Sequence, residues 1–165
     1  MRKIILIVMT LFILVAVNFN IYQREELLCS GKVVLLELAP VDPRSLMQGD
    51  YMALRFKVAT DAFNLQNLDL LDDGQLVLTI DERQVASFSR FADGTPLVDN
   101  ELLIRYRVRS GQAQFATNAF FFQEGEANEY ASARYGEFRV APDGEALLTR
   151  MRDKDLRLLG SEPKS

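Results

Sequence analysis

IILIVMTLFILVAVNFNIY, residues 4–22, is a run of 19 positions with no charge, in which Thr10, Asn18 and Asn20 are the only clearly polar side chains. Coiled as an α-helix at 1.5 Å per residue it reaches ~28 Å, enough to cross the hydrocarbon layer of a bilayer. This stretch divides the chain into an anchor over residues 1–31, a domain over 32–160 and a tail over 161–165 that is expected to fray. A cleaved signal peptide is the competing explanation, but Val15-Ala16-Val17-Asn18 offers no small-x-small cut site, so retention is expected. Leu27-Leu28-Cys29 superficially resembles a lipoprotein box; the leucine before the cysteine is too large, and Arg24, Glu25 and Glu26 separate Cys29 from the apolar run. Arg2 and Lys3 precede the run and a mixed Gln23-Arg24-Glu25-Glu26 follows it. The positive-inside bias then puts residue 1 in the cytoplasm and the domain across the inner membrane, in the periplasm of a Gram-negative cell. Good helix formers carry the helix on through Leu28, and Gly31 suits the position just past its end.

Beyond the apolar run, about 140 residues remain, the size of one domain. Without Arg2 and Lys3 they hold 17 basic against 23 acidic residues, a net charge of −6. That sign repels phosphate backbones, and no basic run interleaved with aromatics exists, which argues against nucleic-acid binding. Histidine is absent from the chain. The commonest general base and zinc ligand are therefore missing, and serine–histidine or cysteine–histidine catalysis is excluded. Cys29 is the only cysteine, so no intramolecular disulfide forms. No cofactor and no metal are expected.

Periodicity predicts a largely β domain. Residues 32–39 form a buried strand ended by Pro40-Val41-Asp42-Pro43, and a constrained loop runs to Asp50. Residues 51–58 alternate, with Met52, Leu54, Phe56 and Val58 on one face, and predict a strand. Residues 62–71 suit a short helix or a packed loop, and a short helix is expected. Residues 75–81 and 84–91 flank Glu82-Arg83 as a hairpin whose turn type is open. After the break Ala92-Asp93-Gly94-Thr95-Pro96, residues 101–110 alternate an arginine-bearing face with Leu102, Ile104, Tyr106 and Val108. Residues 113–122 predict another strand, residues 123–134 a short helix, and residues 135–141 and 146–151 a hairpin about Pro142-Asp143-Gly144. Residues 156–159 add an edge strand. The expected fold is mainly β with a minor α component: one transmembrane helix, then a single β-barrel or sandwich-like domain with one or two short helices.

The segment Pro40-Val41-Asp42-Pro43-Arg44-Ser45-Leu46-Met47-Gln48-Gly49-Asp50-Tyr51-Met52-Ala53-Leu54-Arg55-Phe56 resembles the family named for its GDYXXLXY motif. Gly49, Asp50, Tyr51 and Leu54 match literally, and Phe56 stands where the motif has tyrosine, keeping the ring and losing the hydroxyl. Phe121-Phe122-Gln123-Glu124-Gly125, Tyr135-Gly136-Glu137 and Asp143-Gly144 are also similar to the family pattern. The resemblance covers nearly all of the exported domain. It implies a membrane-anchored protein of bacterial envelopes, often encoded beside polytopic membrane proteins, and brings no catalytic residue with it. Leu46-Met47-Gln48-Gly49-Asp50 is also similar to a run that follows the nucleophile of membrane signal peptidases. Val41 stands where that nucleophilic serine would be needed and no paired lysine is evident, so at most a related β framework is implied.

Each candidate residue has a structural explanation beside the functional one. Asp42 and Asp50 bracket a loop with Pro43 and Gly49, so a carboxylate pair for acid–base work can be drawn; turn formation, with Arg44 neutralising either carboxylate, is favoured. Tyr51 can contact a ligand, whereas a strand tyrosine ordinarily packs its ring and turns its hydroxyl to a polar rim. Glu124 with Gly125 can seat a cation or a partner arginine, against a helix start at which a carboxylate complements the dipole. Arg105, Arg107 and Arg109 line one strand face and can meet an acidic partner, against a solvated face. Asp72-Asp73-Gly74 is too brief for a calcium loop. Two functions of different class survive. One is an accessory or interaction domain, not an enzyme, docking on a polytopic membrane protein; the other is a carboxylate-dependent envelope hydrolase or small-ligand binder using Asp42, Asp50 and Glu124.

Overall fold

A computed structural model describes residues 2–39, 47–48, 51–63, 72–109, 112–117 and 119–160. The apolar run forms helix α1, Arg2–Ser30, whose 28 residues from Lys3 are long and apolar enough to cross a membrane, its most apolar stretch left unburied by the protein itself. The three polar side chains of the apolar run are satisfied within the helix. Thr10 Oγ1 donates to the Leu6 carbonyl at 2.9 Å, Asn18 Nδ2 to Leu14 at 2.8 Å and Asn20 Nδ2 to Ala16 at 3.2 Å. Such back-bonding lowers the cost of polar groups in hydrocarbon.

As the sequence predicts, α1 ends at Gly31, whose N–H donates to the Leu27 carbonyl at 2.9 Å. A side chain there would run into that carbonyl oxygen and approach Arg139 Cβ to 3.1 Å. The Arg139 guanidinium donates to the Gly31 carbonyl at 3.1 Å and Leu27 is buried, so the helix end is seated on the domain rather than tethered by a loose linker.

The chain passes directly into β1, Lys32–Glu37, the central strand of a large mixed sheet. The further elements are β2 (Met47–Gln48), β3 (Tyr51–Ala53), α2 (Lys57–Phe63), β4 (Gly74–Ile80), β5 (Val85–Phe91), β6 (Glu101–Arg109) and β7 (Gln112–Gln114). They are followed by β8 (Ala119–Phe121), α3 (Ala127–Tyr130), β9 (Tyr135–Val140), β10 (Ala146–Arg152) and β11 (Leu158–Leu159). Eight strands lie in the order β11-β10-β9-β1-β5-β4-β6-β7, and β2-β3-β8 form a smaller sheet. The domain is thus sheet-rich, with an N-terminal apolar helix and few short helices.

β1 is antiparallel to β9 but parallel to β5. A parallel pair cannot be closed by a tight hairpin; it needs a crossover. That crossover contains β2, β3 and α2, and so carries the motif segment over one face of the sheet. Val34, Leu36, Leu76, Leu78, Ile104, Phe138 and Met151 project from the sheet into the core, where Met52, Leu54, Phe56, Val58 and Phe63 of the crossover meet them.

Two hairpins follow their sequence signals. β9 and β10 flank Pro142-Asp143-Gly144, with Gly144 at φ 85°. β4 and β5 flank Glu82-Arg83. The open turn type there resolves into a loop whose third residue, Gln84, takes φ 66°, stabilised by the Asp81 carboxylate, which accepts from the Arg83 and Val85 N–H groups at 2.8 Å each.

Four predicted elements differ. Residues 51–58 are not one strand: β3 stops at Ala53, Phe56 makes an isolated bridge with Leu38, and α2 begins at Lys57. Met52, Leu54, Phe56 and Val58 are nevertheless all buried, so alternation identified the inward side chains without fixing the backbone. Val58, Ala62 and Phe63 lie on the buried side of α2, and this helical spacing takes over from the two-residue period. Of the short helix expected at 62–71, residues 62–63 end α2 and residues 64–71 lie outside the described residues. Residues 113–122 are two strands of different sheets, parted at Phe115-Ala116-Thr117 by Ala116 at φ 53° and by the burial of Phe115. The helix expected at 123–134 contracts to the four residues of α3, because Gly125 takes φ 91° and holds the preceding segment in a turn. The edge strand expected at 156–159 is β11, shortened because Leu156 sits at φ 62° in the preceding turn. The tail at 161–165 lies outside the described residues.

Candidate functional site

The motif divides between rim and core. On β3, Tyr51 pairs in register with Phe121 of β8, and their rings lie 5.8 Å apart. Phe121 is 73% exposed, and β8 pairs only with β3 among the described residues, so the two rings mark an outward-facing edge of the small sheet. Strand alternation explains this arrangement. Three consecutive aromatics cannot share one face, so Phe120 and Phe122 turn toward Tyr130, at 5.0 and 5.4 Å, while Phe121 turns away.

Leu54 and Phe56 face the opposite way and are buried. The Phe56 ring stands edge-on to Phe138 at 5.3 Å and to Phe115 at 6.3 Å. A side chain at Gly136 would come within 3.2 Å of the Phe56 ring, so Gly136 makes room for it. In this chain the motif's last aromatic is a core residue that works without a hydroxyl. Asp42, Pro43, Arg44, Gly49 and Asp50 lie outside the described residues.

Glu124 is exposed in the turn before α3 and has no hydrogen bond or ion pair among the described residues. The carboxylate that closes that turn is Glu126, whose Oε2 accepts from the Gln123 N–H at 3.3 Å. Gly125 has open space around its Cβ position and is required there by its backbone angle.

The arginine row lies on the exposed face of β6, as its alternation predicts, but two of its three charges are matched internally. Arg105 pairs with Asp143 at 2.7 Å, across the β9–β10 turn. Arg109 grips both oxygens of Asp73 at 2.9 and 3.0 Å. The hydrogen bond from Arg109, followed by that from the Val108 N–H, holds the Asp73 carboxyl below the ordinary aspartate range. Arg107 alone in the row has no ion pair among the described residues.

Two further features escape pattern reading. Phe121 lies within a resemblance segment but no reading of the sequence singled out its ring; the signal available was the run of three phenylalanines on an alternating strand. Glu137 is a buried carboxylate bonded by Arg152 Nε at 2.6 Å, and Arg152 also donates to the Leu156 carbonyl at 2.6 Å. This pair locks β9, β10 and the turn to β11, a structural role requiring no ligand.

The sequence profile of the GDYXXLXY protein family matches residues 13–151, and the chain belongs to that family. Neither the search of curated proteins nor the search of solved structures gave a match.

Proposed function

We propose that the chain is a single-pass inner-membrane protein whose β domain lies outside the cytoplasm and serves as an accessory module, docking on a polytopic membrane protein. The observation that carries this reading is the paired Tyr51 and Phe121 rings: the motif tyrosine stands beside a 73% exposed aromatic on a sheet edge that no further strand pairs among the described residues. Tyr and Phe are enriched in protein interfaces relative to the rest of the surface. Helix α1 supports the same reading, because an apolar helix seated on the domain through Gly31 and Arg139 restricts how that edge can face a neighbour in the same membrane. The arginine row becomes a lesser surface, since Arg105 and Arg109 are already paired and only Arg107 has an unmatched charge among the described residues.

Purification of the full chain in mild detergent is expected to recover one polytopic membrane protein reproducibly, and Phe121→Ser to lose it while the chain stays folded. Repeated recovery of the chain alone, or equal recovery with the variant, overturns the proposal. The hydrolase or small-ligand alternative requires Asp42, Asp50 and Glu124 to act together. For that reading Asp50→Ala abolishes turnover with a normal melting curve, whereas a loop-forming Asp50 predicts a lowered one.

A further inference from the structure

Where α1 meets the domain, its last turns and the β9–β10 turn enclose a groove of about 310 Å³. Gln23, Arg24 and Glu26 line it from the helix, and Pro142, Asp143 and Glu145 from the turn. Resting on the anchor reading above, the depth of this groove follows from helix geometry. The apolar run ends at Tyr22, and the eight residues from there to Ser30 rise ~12 Å. The polar layer of one leaflet is about 5–8 Å thick, so the mouth of the groove straddles the headgroups.

Its charges are arranged unusually for a solvated corner. Asp143 is already matched by Arg105 at 2.7 Å. Arg24, Glu26 and Glu145 have no ion pair or side-chain hydrogen bond among the described residues, although cation and carboxylates line the same groove. A ligand carrying both signs fits this lining. An anion alone would face two carboxylates; a cation alone would leave Arg24 unmatched.

We propose that the groove binds the headgroup of an amine-bearing zwitterionic phospholipid. Arg24, with the Gln23 amide, meets the phosphodiester. Glu26 and Glu145 accept hydrogen bonds from the primary ammonium. A trimethylammonium headgroup has the same net charge but no N–H to donate, which sets the expected selectivity.

The test uses the full chain in mild detergent with equal amounts of phosphatidylethanolamine and phosphatidylcholine, counting retained lipids by native mass spectrometry. Phosphatidylethanolamine is expected to be retained about fivefold over phosphatidylcholine, the scale of roughly 1 kcal/mol for exposed charge contacts. The Glu26→Gln/Glu145→Gln double variant should lose the preference and Arg24→Gln should lose both lipids, with circular dichroism unchanged. Equal retention of the two lipids by the unaltered chain, or a preference that survives the double variant, overturns the proposal. Displacement by an equal concentration of glycerophosphoethanolamine also overturns it, assigning the groove to a soluble phosphodiester. Failure of the anchor reading is separately visible, as recovery of the chain in the soluble fraction before any detergent is added.

Discussion

At the scale of the residue, Asp81 and Gln84 show how a hairpin forms without the glycine its turn prefers. Gln84 adopts φ 66°, a region that costs a side-chain-bearing residue roughly 1–2 kcal/mol. The Asp81 carboxylate offsets this by accepting two backbone N–H groups, and the bond from Val85 is the main reason its pKa lies below the ordinary 3.8. Gln84→Gly is therefore expected to stabilise the chain by about 0.5–1 kcal/mol, read as a higher urea midpoint at unchanged slope. Asp73 and Asp93 are lowered in the same direction, by bonds from Arg109 and the Thr95 hydroxyl. Carboxylates with depressed folded-state pKa values stabilise fully above their unfolded value and lose that contribution as pH falls through the folded one. The melting temperature should accordingly drop as pH falls below about 4, and Asp81→Asn, which keeps an acceptor but cannot titrate, should flatten part of that slope. An acid limb identical in the variant would show that the Asp81 bonds do not contribute. The family motif is also decided residue by residue: its Leu54 and Phe56 are core, and its Tyr51 reaches the rim.

At the scale of the element, what was legible in the sequence depended on whether one period held throughout a segment. Helix α1 was legible because 19 uncharged, mostly apolar residues keep one character throughout, and β6 because Leu102, Ile104 and Tyr106 keep a strict alternation. Residues 51–58 misled because the inward positions of a strand, a bridge and a helix start happen to fall every second residue. Half of the candidate site was legible for a similar reason. The arginine row follows from spacing, whereas its neutralisation depends on Asp73 and Asp143, 36 and 38 residues away from their partners in sequence, which no local pattern reports. The most exacting junction is the end of α1. Gly31→Ala pushes a methyl group into the Leu27 carbonyl and toward Arg139, and should cost about 1–3 kcal/mol, the usual range for overpacking. Limited proteolysis is expected to spare residue 31 in the unaltered chain and to cut near it in the variant; equal resistance would mean the helix end is not seated on the domain.

At the scale of the whole molecule, one topological fact joins anchor, motif and groove. The apolar helix α1 feeds straight into the central strand of the large sheet, and the parallel pairing of β1 with β5 forces a crossover that lays Met52, Leu54 and Phe56 of the motif segment over the core. On the proposed anchoring the domain is oriented by its own backbone relative to the bilayer, and the net charge of −6 after the apolar run keeps its body off anionic lipid. The account stands or falls on which side of the membrane that body lies. Cys29 is the chain's only cysteine and is exposed in the last turn of α1, seven residues beyond Tyr22, so it reports the answer directly. Membrane-impermeant maleimide added to intact spheroplasts should label Cys29 on a chain that sediments with the membranes. Labelling that appears only after the inner membrane is permeabilised, or on a chain found free in the soluble fraction, would contradict it.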